Sequence, residues 1–542
     1  MNIYHAVIDH VNPPKRLADA VRVKSTLLKE TGSLSIYKIP LEENKINITG
    51  CKYFHYGKEA KRPKSNRTIM VLGATGAGKS TLINGMINYI LGVEWGDSFR
   101  FQIVDDGEAK SQAESQTSDV TVYRIHHREG FAMDCSLTIV DTPGFGDTRG
   151  IDRDREIIEQ LRNLFSAPNG VRDIDAVCFV AQASLARLTH SQRYVFDSVL
   201  AIFGKDVAEN IRILVTFADG QRPPILEAIN AAEVPCPKEN GLPMHFKFNN
   251  SALFADNKSS AADDDEDEGF DKMFWKMGSK SMKRFFVALN IIETKSLTMT
   301  QQVLRERKQL ENSLENLQKQ VKLGLAKLEE IKETTEKLKT FEAEITRNKD
   351  FVVETTVSKP FQVDISGTGV YLTNCQQCHF TCHDNCGIAN DKEKHGCIAM
   401  GPDGHCKQCP SKCYWSQHFN QKYKWEYKPV QVKTTMDDLK KKYEVAKDAK
   451  APVQELVGKL NADHARVQEV VEKLMKTSAD SLNRLKEIAL KPNPLSTPEY
   501  IDMLIEGEKA SAEPGWKKRV ESLTTMRQKA EMLAKLERGE KL

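Results

Sequence analysis

The feature that most constrains this chain is a glycine-rich run with the spacing G-x-x-x-x-G-K-S. It consists of Gly73, Ala74, Thr75, Gly76, Ala77, Gly78, Lys79 and Ser80, with Thr81 next. Residues 68–72 before it have the composition of a buried strand, and residues 81–91 after it repeat apolar residues at helical spacing. In that setting the backbone N–H groups and the helix N-terminus face an anion, the lysine reaches the β- and γ-phosphates, and the serine hydroxyl binds Mg²⁺. The run therefore predicts a nucleoside triphosphate site.

Composition sets the outer limits for the rest of the chain. Its 542 residues are enough for more than one domain, and 78 Lys+Arg against 75 Asp+Glu leave a net charge of only +3. This balance gives no reason to expect a nucleic acid or an anionic membrane as partner. No stretch approaches the roughly 18 apolar residues of a membrane span, and the first residues do not resemble a secretory signal. We expect a cytoplasmic protein whose twelve cysteines are thiols or metal ligands.

A second motif is typical of a γ-phosphate sensor. Residues 136–141 form an apolar segment that ends in Asp141, and Gly144 follows in the order Asp-x-x-Gly. The aspartate is predicted to hold Mg²⁺ through water, and the Gly144 N–H is predicted to contact the γ-phosphate. A threonine from the preceding polar stretch would complete the metal site, with Thr117 as first choice and Thr121 as second, unless it is an ordinary loop residue.

Two later strand ends carry residues suited to a nucleotide base. Residues 210–216 are predicted as a buried strand that ends in Thr216 and is followed by Asp219. A carboxylate at this point accepts two hydrogen bonds from guanine, whereas adenine lacks the matching donors. Asn249 and Asn250 end the next strand and are placed to contact the other edge of the base.

The order of these motifs resembles that of septin-related GTPases, and more closely the immunity-associated GIMAP (AIG-type) branch. The resemblance covers residues 67–292 and includes a segment from Leu185 to Thr189 like a box of that branch. It implies an α/β P-loop GTPase fold with a mostly parallel sheet flanked by helices, GTP or GDP with Mg²⁺ as ligands, and G domains that pair across the nucleotide face. Lys79, Thr117, Asp141 and Gly144 are then the expected catalytic residues.

Two positions depart from the pattern of that family. Phe217 stands where the guanine motif usually has lysine, and Phe145 stands where small switch GTPases carry a water-orienting glutamine. The second departure predicts slow hydrolysis that depends on a second subunit. Thr148, Arg149 and Arg187 are polar candidates for a role across such a dimer, or else ordinary surface residues.

The sequence predicts further segments on both sides of the G domain. Residues 1–66 are a lead segment, and residues 256–269 are an acidic loop predicted to be disordered. Two predicted coiled-coil helices, 293–350 and 434–476, enclose residues 351–433, which combine strands with a Cys/His module. A helical tail covers the remaining residues, 477–542.

The coiled-coil prediction depends on apolar residues spaced three or four apart or whole heptads apart. In the first helix these are Leu310, Leu314, Leu317, Val321, Leu328, Ile331, Leu338 and Ile345. In the second they are Leu439, Tyr443, Leu456, Leu460, Val467, Val470 and Leu474, with Pro452 expected to kink or split the helix. Two such helices form either an antiparallel hairpin with the Cys/His module at its tip or a parallel dimer.

The Cys/His module has the ligand spacing of a metal site. Its possible ligands are Cys375, Cys378, Cys382, His383, Cys386, Cys397, Cys406, Cys409, Cys413 and His418. These suffice for two structural, tetrahedral Zn²⁺ ions. The favoured grouping puts Cys406, Cys409, Cys413 and His418 on one ion. The other ion takes Cys375, Cys378 and two of Cys382, His383, Cys386 and Cys397. Disulfides and a redox pair are the alternatives, and the short spacing after the first Cys pair argues against a RING-type module.

Together these features predict a dimer-activated GTPase switch or scaffold that presents a zinc-stabilised tip to an unknown protein partner. Homodimers would form through the G domain, the coiled coil or both. The alternative is a structural interaction protein that holds GTP or GDP permanently and recognises its partner through the zinc tip. A mechanochemical ATPase is disfavoured because Asp219 favours guanine.

Overall fold

A computed structural model describes most of the chain in two compact units. The described residues are 16–46, 48–104, 119–146, 151–186, 188, 190–257, 267–340, 352–435, 438, 452–491, 498–511 and 516–538. The first unit comprises residues 1–304, 488–495 and 499–527, and the second comprises residues 305–487, 496–498 and 528–542. None of the described helices is long and apolar enough to cross a membrane.

The first unit is built on an eight-stranded sheet in the order β14-β11-β10-β5-β8-β7-β4-β3. Its strands and those of smaller neighbouring sheets are β1 (Thr26–Thr31), β2 (Leu34–Lys38), β3 (Glu42–Glu43), β4 (Cys51–Tyr56), β5 (Asn66–Gly73), β6 (Phe99–Gln102), β7 (Val120–Ile125), β8 (Ser136–Asp141), β9 (Asp173–Ile174), β10 (Ala176–Gln182), β11 (Ile211–Thr216), β12 (Lys238–Glu239), β13 (Leu242–Pro243), β14 (His245–Lys247) and β15 (Lys295–Ser296). Neighbours in the large sheet are parallel except β7–β8 and β3–β4. The predicted α/β fold with a mostly parallel sheet is confirmed for this unit.

The described residues contain ten α-helices. They are α1 (Leu17–Lys24), α2 (Lys79–Ile90), α3 (Ile151–Ser166), α4 (His190–Leu200), α5 (Ile225–Ala231), α6 (Asp267–Ile291), α7 (Thr298–Thr340), α8 (Pro452–Ile488), α9 (Pro498–Ser511) and α10 (Trp516–Glu537). In the first unit, central strand β5 is buried from Thr68 to Gly73, and α2 buries Leu82, Ile83 and Met86 in the same core. A strand that is covered on both faces has an unbroken run of apolar residues, and this run is why the sequence predicts β5.

The predicted lead segment belongs to the first unit rather than preceding it. Strand β4 pairs in parallel with β7 and so extends the large sheet, and α1 buries Ala18 and Val21 in the main core. The structure thus corrects the boundary at residue 66. Strand β4 has only one fully buried residue, Tyr56, so its sequence lacks the apolar run of a central strand.

The predicted boundary at residue 477 also differs from the structure. Helix α8 continues to Ile488, and residues 488–495 belong to the first unit. There the Leu490 N–H donates to the Phe203 carbonyl at 2.9 Å, and Lys491 forms an ion pair with Asp197 at 2.5 Å. At the other end of α8, Pro452 is its first residue, where a missing N–H costs nothing.

The second unit contains a long two-stranded ribbon that carries the Cys/His module. Its strands are β16 (Val352–Asp364), β17 (Thr373–Cys375), β18 (Phe380–His383), β19 (His418–Phe419) and β20 (Tyr423–Thr435). The ribbon pairs β16 with β20 antiparallel along their whole length, and β18-β17-β19 form a small sheet in the module.

The ribbon runs back along α7, so the module lies beside this helix. Near the start of the ribbon, the Thr356 N–H donates to the Glu333 carboxylate at 3.1 Å. At the module, Lys319 forms an ion pair with Asp384 at 3.3 Å. The start of the ribbon thus contacts α7 at Glu333, and the module contacts it at Lys319, nearer the start of the helix. The module therefore lies beside α7 and not at the tip predicted for the antiparallel hairpin.

Part of the predicted coiled-coil seam is buried in the second unit. Leu310, Leu314, Leu317 and Ile331 of α7 are buried, as is Leu474 of α8. The side chains of the other seam residues, except Val470, lie outside the described part, and the pairing of the two helices as a coiled coil stays a prediction. Buried polar residues on α7 face the module instead, as described below.

Candidate functional site

Three predicted motifs lie at one edge of the large sheet. The glycine-rich loop follows β5, Asp141 ends the neighbouring strand β8, and Thr216 ends β11 on the other side. These strands run parallel to one another, so their carboxyl ends meet at the same edge. This edge is where open α/β sheets bind ligands.

The loop has the backbone conformation that its glycines permit. Gly76 and Gly78 have φ values of 76° and 85°, which are costly for other residues, and Gly78 caps the N-terminus of α2. A Cβ added at Gly73 would lie only 2.5 Å from the Val180 carbonyl oxygen. Lys79, Ser80 and Thr81 form the first turn of α2, whose N-terminus faces the loop.

Lys79 lies across the loop and is almost completely buried. Its Nζ donates to the carbonyl oxygens of Gly73 at 3.1 Å and Ala74 at 2.9 Å. Burial lowers the pKa of Lys79 to about 8, an effect that the charge of Asp141 opposes. The amine is thus held inside the loop with little solvent around it, a setting in which an anionic ligand would be strongly favoured.

The segment after Asp141 closes against the loop. The Thr75 N–H donates to the Phe145 carbonyl at 3.0 Å, and the Phe145 N–H donates to the Gly73 carbonyl at 3.2 Å. A Cβ added at Gly144 would lie 2.5 to 2.8 Å from Thr75 atoms, so only glycine fits there. The Phe145 ring is fully buried and contributes to packing, not to the polar surface of the site.

The two threonines predicted for the metal site have different outcomes. Thr117 lies outside the described residues, as do Thr148, Arg149 and Arg187. Thr121 lies within β7 directly opposite Asp141, and its hydroxyl donates to the Asp119 carbonyl at 3.2 Å. Thr121 is thus a buried strand residue near Asp141.

On the base side, two loops contact each other. The Asn249 side-chain amide donates to the Ala218 carbonyl at 3.1 Å, and its oxygen accepts from the N–H and hydroxyl of Ser251. Asp219 is exposed, and one of its oxygens accepts the Gln221 N–H at 2.9 Å. Asn249 therefore positions the loop that carries Asp219.

Phe217 and Asn250 belong to the same two loops, after β11 and β14. Phe217 has a positive φ of 52° and a 56% exposed side chain, and its Cε2 would lie 3.6 Å from a Cβ at Gly78. The ring thus stands beside the phosphate loop, open to a flat ligand. The Asn250 Oδ1 faces Gly85 of α2, 3.8 Å from a Cβ at that position.

One residue at the site, Gln182, was not predicted from the sequence. Gln182, the last residue of β10, donates from Nε2 to the Gly76 carbonyl at 3.1 Å. Gln182 is in register with Thr216 across the β10–β11 pair, so the strand order of the folded sheet places it at the same edge as the loop. The Thr75 hydroxyl is buried and finds no hydrogen-bond partner within the described residues, so it is available to a ligand in the loop.

A second candidate site lies in the Cys/His module. Its ten predicted ligands fall into three groups, in each of which the ligand atoms all lie within 4.8 Å of one another. The groups are Cys375, Cys378, Cys409 and Cys413; Cys382, Cys406, Cys409 and His418; and His383, Cys386 and Cys397. The structure thus corrects the predicted grouping: Cys413 and His418 belong to different groups, which share Cys409.

The orientation of His418 suits a metal ligand. Its Nδ1 is 3.0 Å from the Tyr414 carbonyl, and its Nε2 is buried with no hydrogen-bond partner in the described part of the chain. Nδ1–H donation to a carbonyl leaves Nε2 as a lone-pair donor, which is how ligating histidines are commonly held. The residues fit a Zn²⁺ ion at this position.

Comparison with known proteins gives a match for part of the first unit. Residues 64–164 match the septin family model. Neuronal-specific septin-3 of Rattus norvegicus is 32% identical over 124 residues, which are 22% of this chain and 31% of that septin. The chain thus spans about a third of the septin's length. The family-model match over residues 64–164 includes the glycine-rich loop and the Asp141 motif.

Solved structures of Toc33 from Arabidopsis thaliana are also similar. The complex with Mg²⁺ and GMPPNP is 16% identical, with 43% of this chain and 88% of Toc33 covered and a TM-score of 0.27. The complex with GDP and Mg²⁺ is also 16% identical, with 41% and 85% covered and a TM-score of 0.26. On its motifs, sheet order and family match, the first unit carries a septin-like P-loop G domain.

Proposed function

We propose that the first unit binds GTP with Mg²⁺ and hydrolyses it to GDP. This proposal depends on one observation: Gly73–Ser80, Asp141 and Asp219 lie together at the carboxyl ends of parallel strands of one sheet. Each motif would be weak by itself, but together they supply contacts for phosphates, metal and base. The septin match over residues 64–164 supports the same activity class.

Different groups of the chain would contact the phosphates and the Mg²⁺ ion. The N–H groups of the loop and the N-terminus of α2 would bind the phosphates, and Lys79 would leave its carbonyl partners to contact the β- and γ-oxygens. Ser80 and Asp141, with Thr117, would hold Mg²⁺, which neutralises charge on the phosphates when bound. Gly144 would report the γ-phosphate through its N–H, so the segment that closes on Thr75 can respond to hydrolysis.

Base selection is assigned to the loops after β11 and β14. Asp219 is exposed and would accept two hydrogen bonds from guanine, while Asn249 holds its loop and Asn250 lies nearby. Phe217, beside Gly78, would cover one face of the base in place of the aliphatic stem of a lysine. Stacking does not distinguish purines, so guanine preference depends on Asp219.

Hydrolysis is proposed to need a second copy of the chain. Because the Phe145 side chain is buried, the position that often orients the attacking water carries no polar group into the site. A homodimer across the nucleotide face would supply one, with Thr148, Arg149 and Arg187 as the sequence-based candidates. Contacts between helical segments of the second unit are a further route to self-association.

The second unit is proposed to act as a scaffold for a protein partner. Metal bound in the Cys/His module would make the ribbon rigid, and the ribbon runs along α7 instead of extending beyond it. The partner surface is therefore more extended than a tip. None of the twelve cysteines, all within the described residues, forms a disulfide, which is consistent with a reducing, cytoplasmic location.

A second candidate function is a structural protein with permanently bound GTP or GDP. The buried Phe145 favours it, since no polar side chain at that position activates water. Nucleotide would then stabilise the fold and a dimer interface. The two functions share the site but differ in turnover.

The test is GTP and ATP turnover by the full chain over a wide range of protein concentration. Lys79→Ala is the blank, and the matched control is Lys52→Ala, a partly exposed lysine on β4. Specific activity that rises with concentration and prefers GTP supports the switch. A flat, near-zero rate with retained nucleotide supports the structural alternative, and absence of nucleotide binding contradicts both.

A further inference from the structure

We propose that the Cys/His module holds three Zn²⁺ ions, two of which share the thiolate of Cys409 as a bridging ligand. The spacing of the sequence suggested two separate ions. In the structure, ten ligand atoms form two groups of four with one common member and a third group of three. This proposal is independent of nucleotide binding in the first unit.

The sulfur–sulfur distances agree with shared coordination of a metal. Four sulfurs at a Zn–S distance of about 2.3 Å in a tetrahedron are about 3.8 Å apart. The Sγ atoms of Cys378 and Cys413 are 3.7 Å apart, and those of Cys386 and Cys397 are 3.8 Å apart. Both distances far exceed the S–S bond of about 2.05 Å in a disulfide.

Backbone N–H groups point at the sulfurs in the way that stabilises thiolates. The Cys378 N–H donates to Cys375 Sγ at 3.4 Å, and the Cys409 N–H donates to Cys406 Sγ at 3.4 Å. The Cys413 N–H donates to Cys409 Sγ at 3.2 Å, so the shared sulfur is itself oriented by the backbone. Hydrogen bonds to the charged form favour the thiolate, which is the metal-binding form.

The position of Cys409 also explains why it is shared. It is completely buried, and it is the common member of the group with Cys375 and the group with Cys382. If each ion had its own four ligands, two sites would need eight donors, but these groups contain only seven. A bridging thiolate completes both tetrahedra.

The third site is formed by His383, Cys386 and Cys397. The Nδ1 of His383 lies 3.3 Å from Cys397 Sγ, and all three side chains are buried. Three side chains leave one position of a tetrahedral Zn²⁺ ion for a further donor.

A buried lysine supports the presence of thiolates at this third site. Lys394 is fully buried, and its Nζ donates to the carbonyls of Leu372 at 2.7 Å and Ile388 at 2.6 Å and lies 3.8 Å from Cys386 Sγ. A buried ammonium needs a nearby negative charge. Eight thiolates with Lys394 and three divalent ions leave one net negative charge, whereas two ions would leave three.

The experiment is zinc stoichiometry of the purified full-length chain, measured by elemental analysis after gel filtration without chelator. Three ions per chain are expected for the wild type. Two or fewer ions in a fully folded, reduced sample would overturn the proposal, as would disulfides in place of metal.

Single substitutions then test the sharing of Cys409. Cys409→Ser is expected to lose two ions, and Cys378→Ser and Cys386→Ser one each. The matched control is Cys236→Ser, in the first unit and outside the three groups, which should keep three ions. Equal losses from Cys409→Ser and Cys378→Ser would contradict the bridge. Lys79→Ala should also keep three ions, so failure of nucleotide binding and failure of this proposal are distinguishable.

Because Cys409→Ser removes a ligand from two ions and can prevent folding, a measurement on the unmodified chain is also needed. Replacement of Zn²⁺ by ¹¹³Cd²⁺ is expected to give three ¹¹³Cd resonances, two of which show scalar coupling to each other through the shared sulfur. Three uncoupled resonances would overturn the bridge.

Discussion

The hydroxyl of Thr216 donates a 2.7 Å hydrogen bond to the carbonyl oxygen of Ala77. This bond ties the end of β11, which leads to Asp219, directly to the phosphate loop. Both groups are buried, so the distance between the base and phosphate contacts is set by a pair that solvent does not weaken. The loop after β11 and the phosphate loop are thus held together by this hydrogen bond.

Thr216→Val should therefore weaken the whole site without changing its selectivity. Loss of the donor leaves the Ala77 carbonyl unsatisfied, and we expect the free energy of unfolding to fall by about 1–3 kcal/mol. Affinities for GTP and ATP should fall by a similar factor, measured by titration with fluorescent nucleotide. Thr216→Ser keeps the hydroxyl and should behave like the wild type. A changed GTP-to-ATP ratio in Thr216→Val would show that this residue contacts the base.

Asp219→Asn should change which base is preferred. The carboxylate matches the two donors of guanine, whereas an amide offers one donor and one acceptor and so matches xanthine, which has a carbonyl in place of the amino group. We expect GTP affinity to fall on the order of 100-fold or more and affinity for xanthosine triphosphate to rise. Glu227→Gln, an exposed acid in α5, is the control. Unchanged GTP affinity in Asp219→Asn would exclude the base contact.

Nucleotide affinity should depend on pH through Lys79. Burial lowers its pKa to about 8, so the free protein loses this charge as the pH rises through 8, while bound phosphates favour the charged form. Affinity should therefore be highest below pH 8 and fall above it, by at most about tenfold per pH unit. Titrations between pH 6.5 and 9.5 measure this slope, with Lys79→Ala as the variant that should lose it. A flat wild-type profile would contradict the role of the charge.

Asn316→Ala should loosen the Cys/His module from α7. The Asn316 amide donates to the Cys382 carbonyl at 2.9 Å and to Gln408 Oε1 at 3.0 Å, and all three residues are buried. Loss of both bonds should lower the free energy of unfolding of the second unit by about 1–3 kcal/mol and speed zinc release to a chelator. Denaturation followed by circular dichroism measures the first effect. Asn461→Ala, at an exposed position of α8, should change neither.

The glycine-rich loop and the strand before it could be predicted because their determinants are local. The loop from Gly73 to Ser80 needs its glycines at fixed offsets, and the strand before it is apolar throughout because both faces of β5 are covered. Gln182 was missed because its role depends on strand order, which brings β10 beside β5. Strand β4 was missed because only Tyr56 in it is fully buried, so it lacks an apolar signature.

The sequence by itself determined which chemical groups this protein can use: the glycine-rich run, Asp141, Asp219 and ten Cys/His side chains with the spacing of metal ligands. These follow from residue types at short spacing, where covalent geometry limits what the chain can do. Only the tertiary structure decided which of these Cys/His side chains lie together and where the module lies. Cys413 lies with Cys375, and His418 lies with Cys382, although each pair is more than 30 residues apart in the chain. The small sheet β18-β17-β19 brings Cys375, Cys382 and His418 into the same module. The module lies beside α7 because Asn312 and Asn316 are buried there and their amides are satisfied by the Cys382 carbonyl.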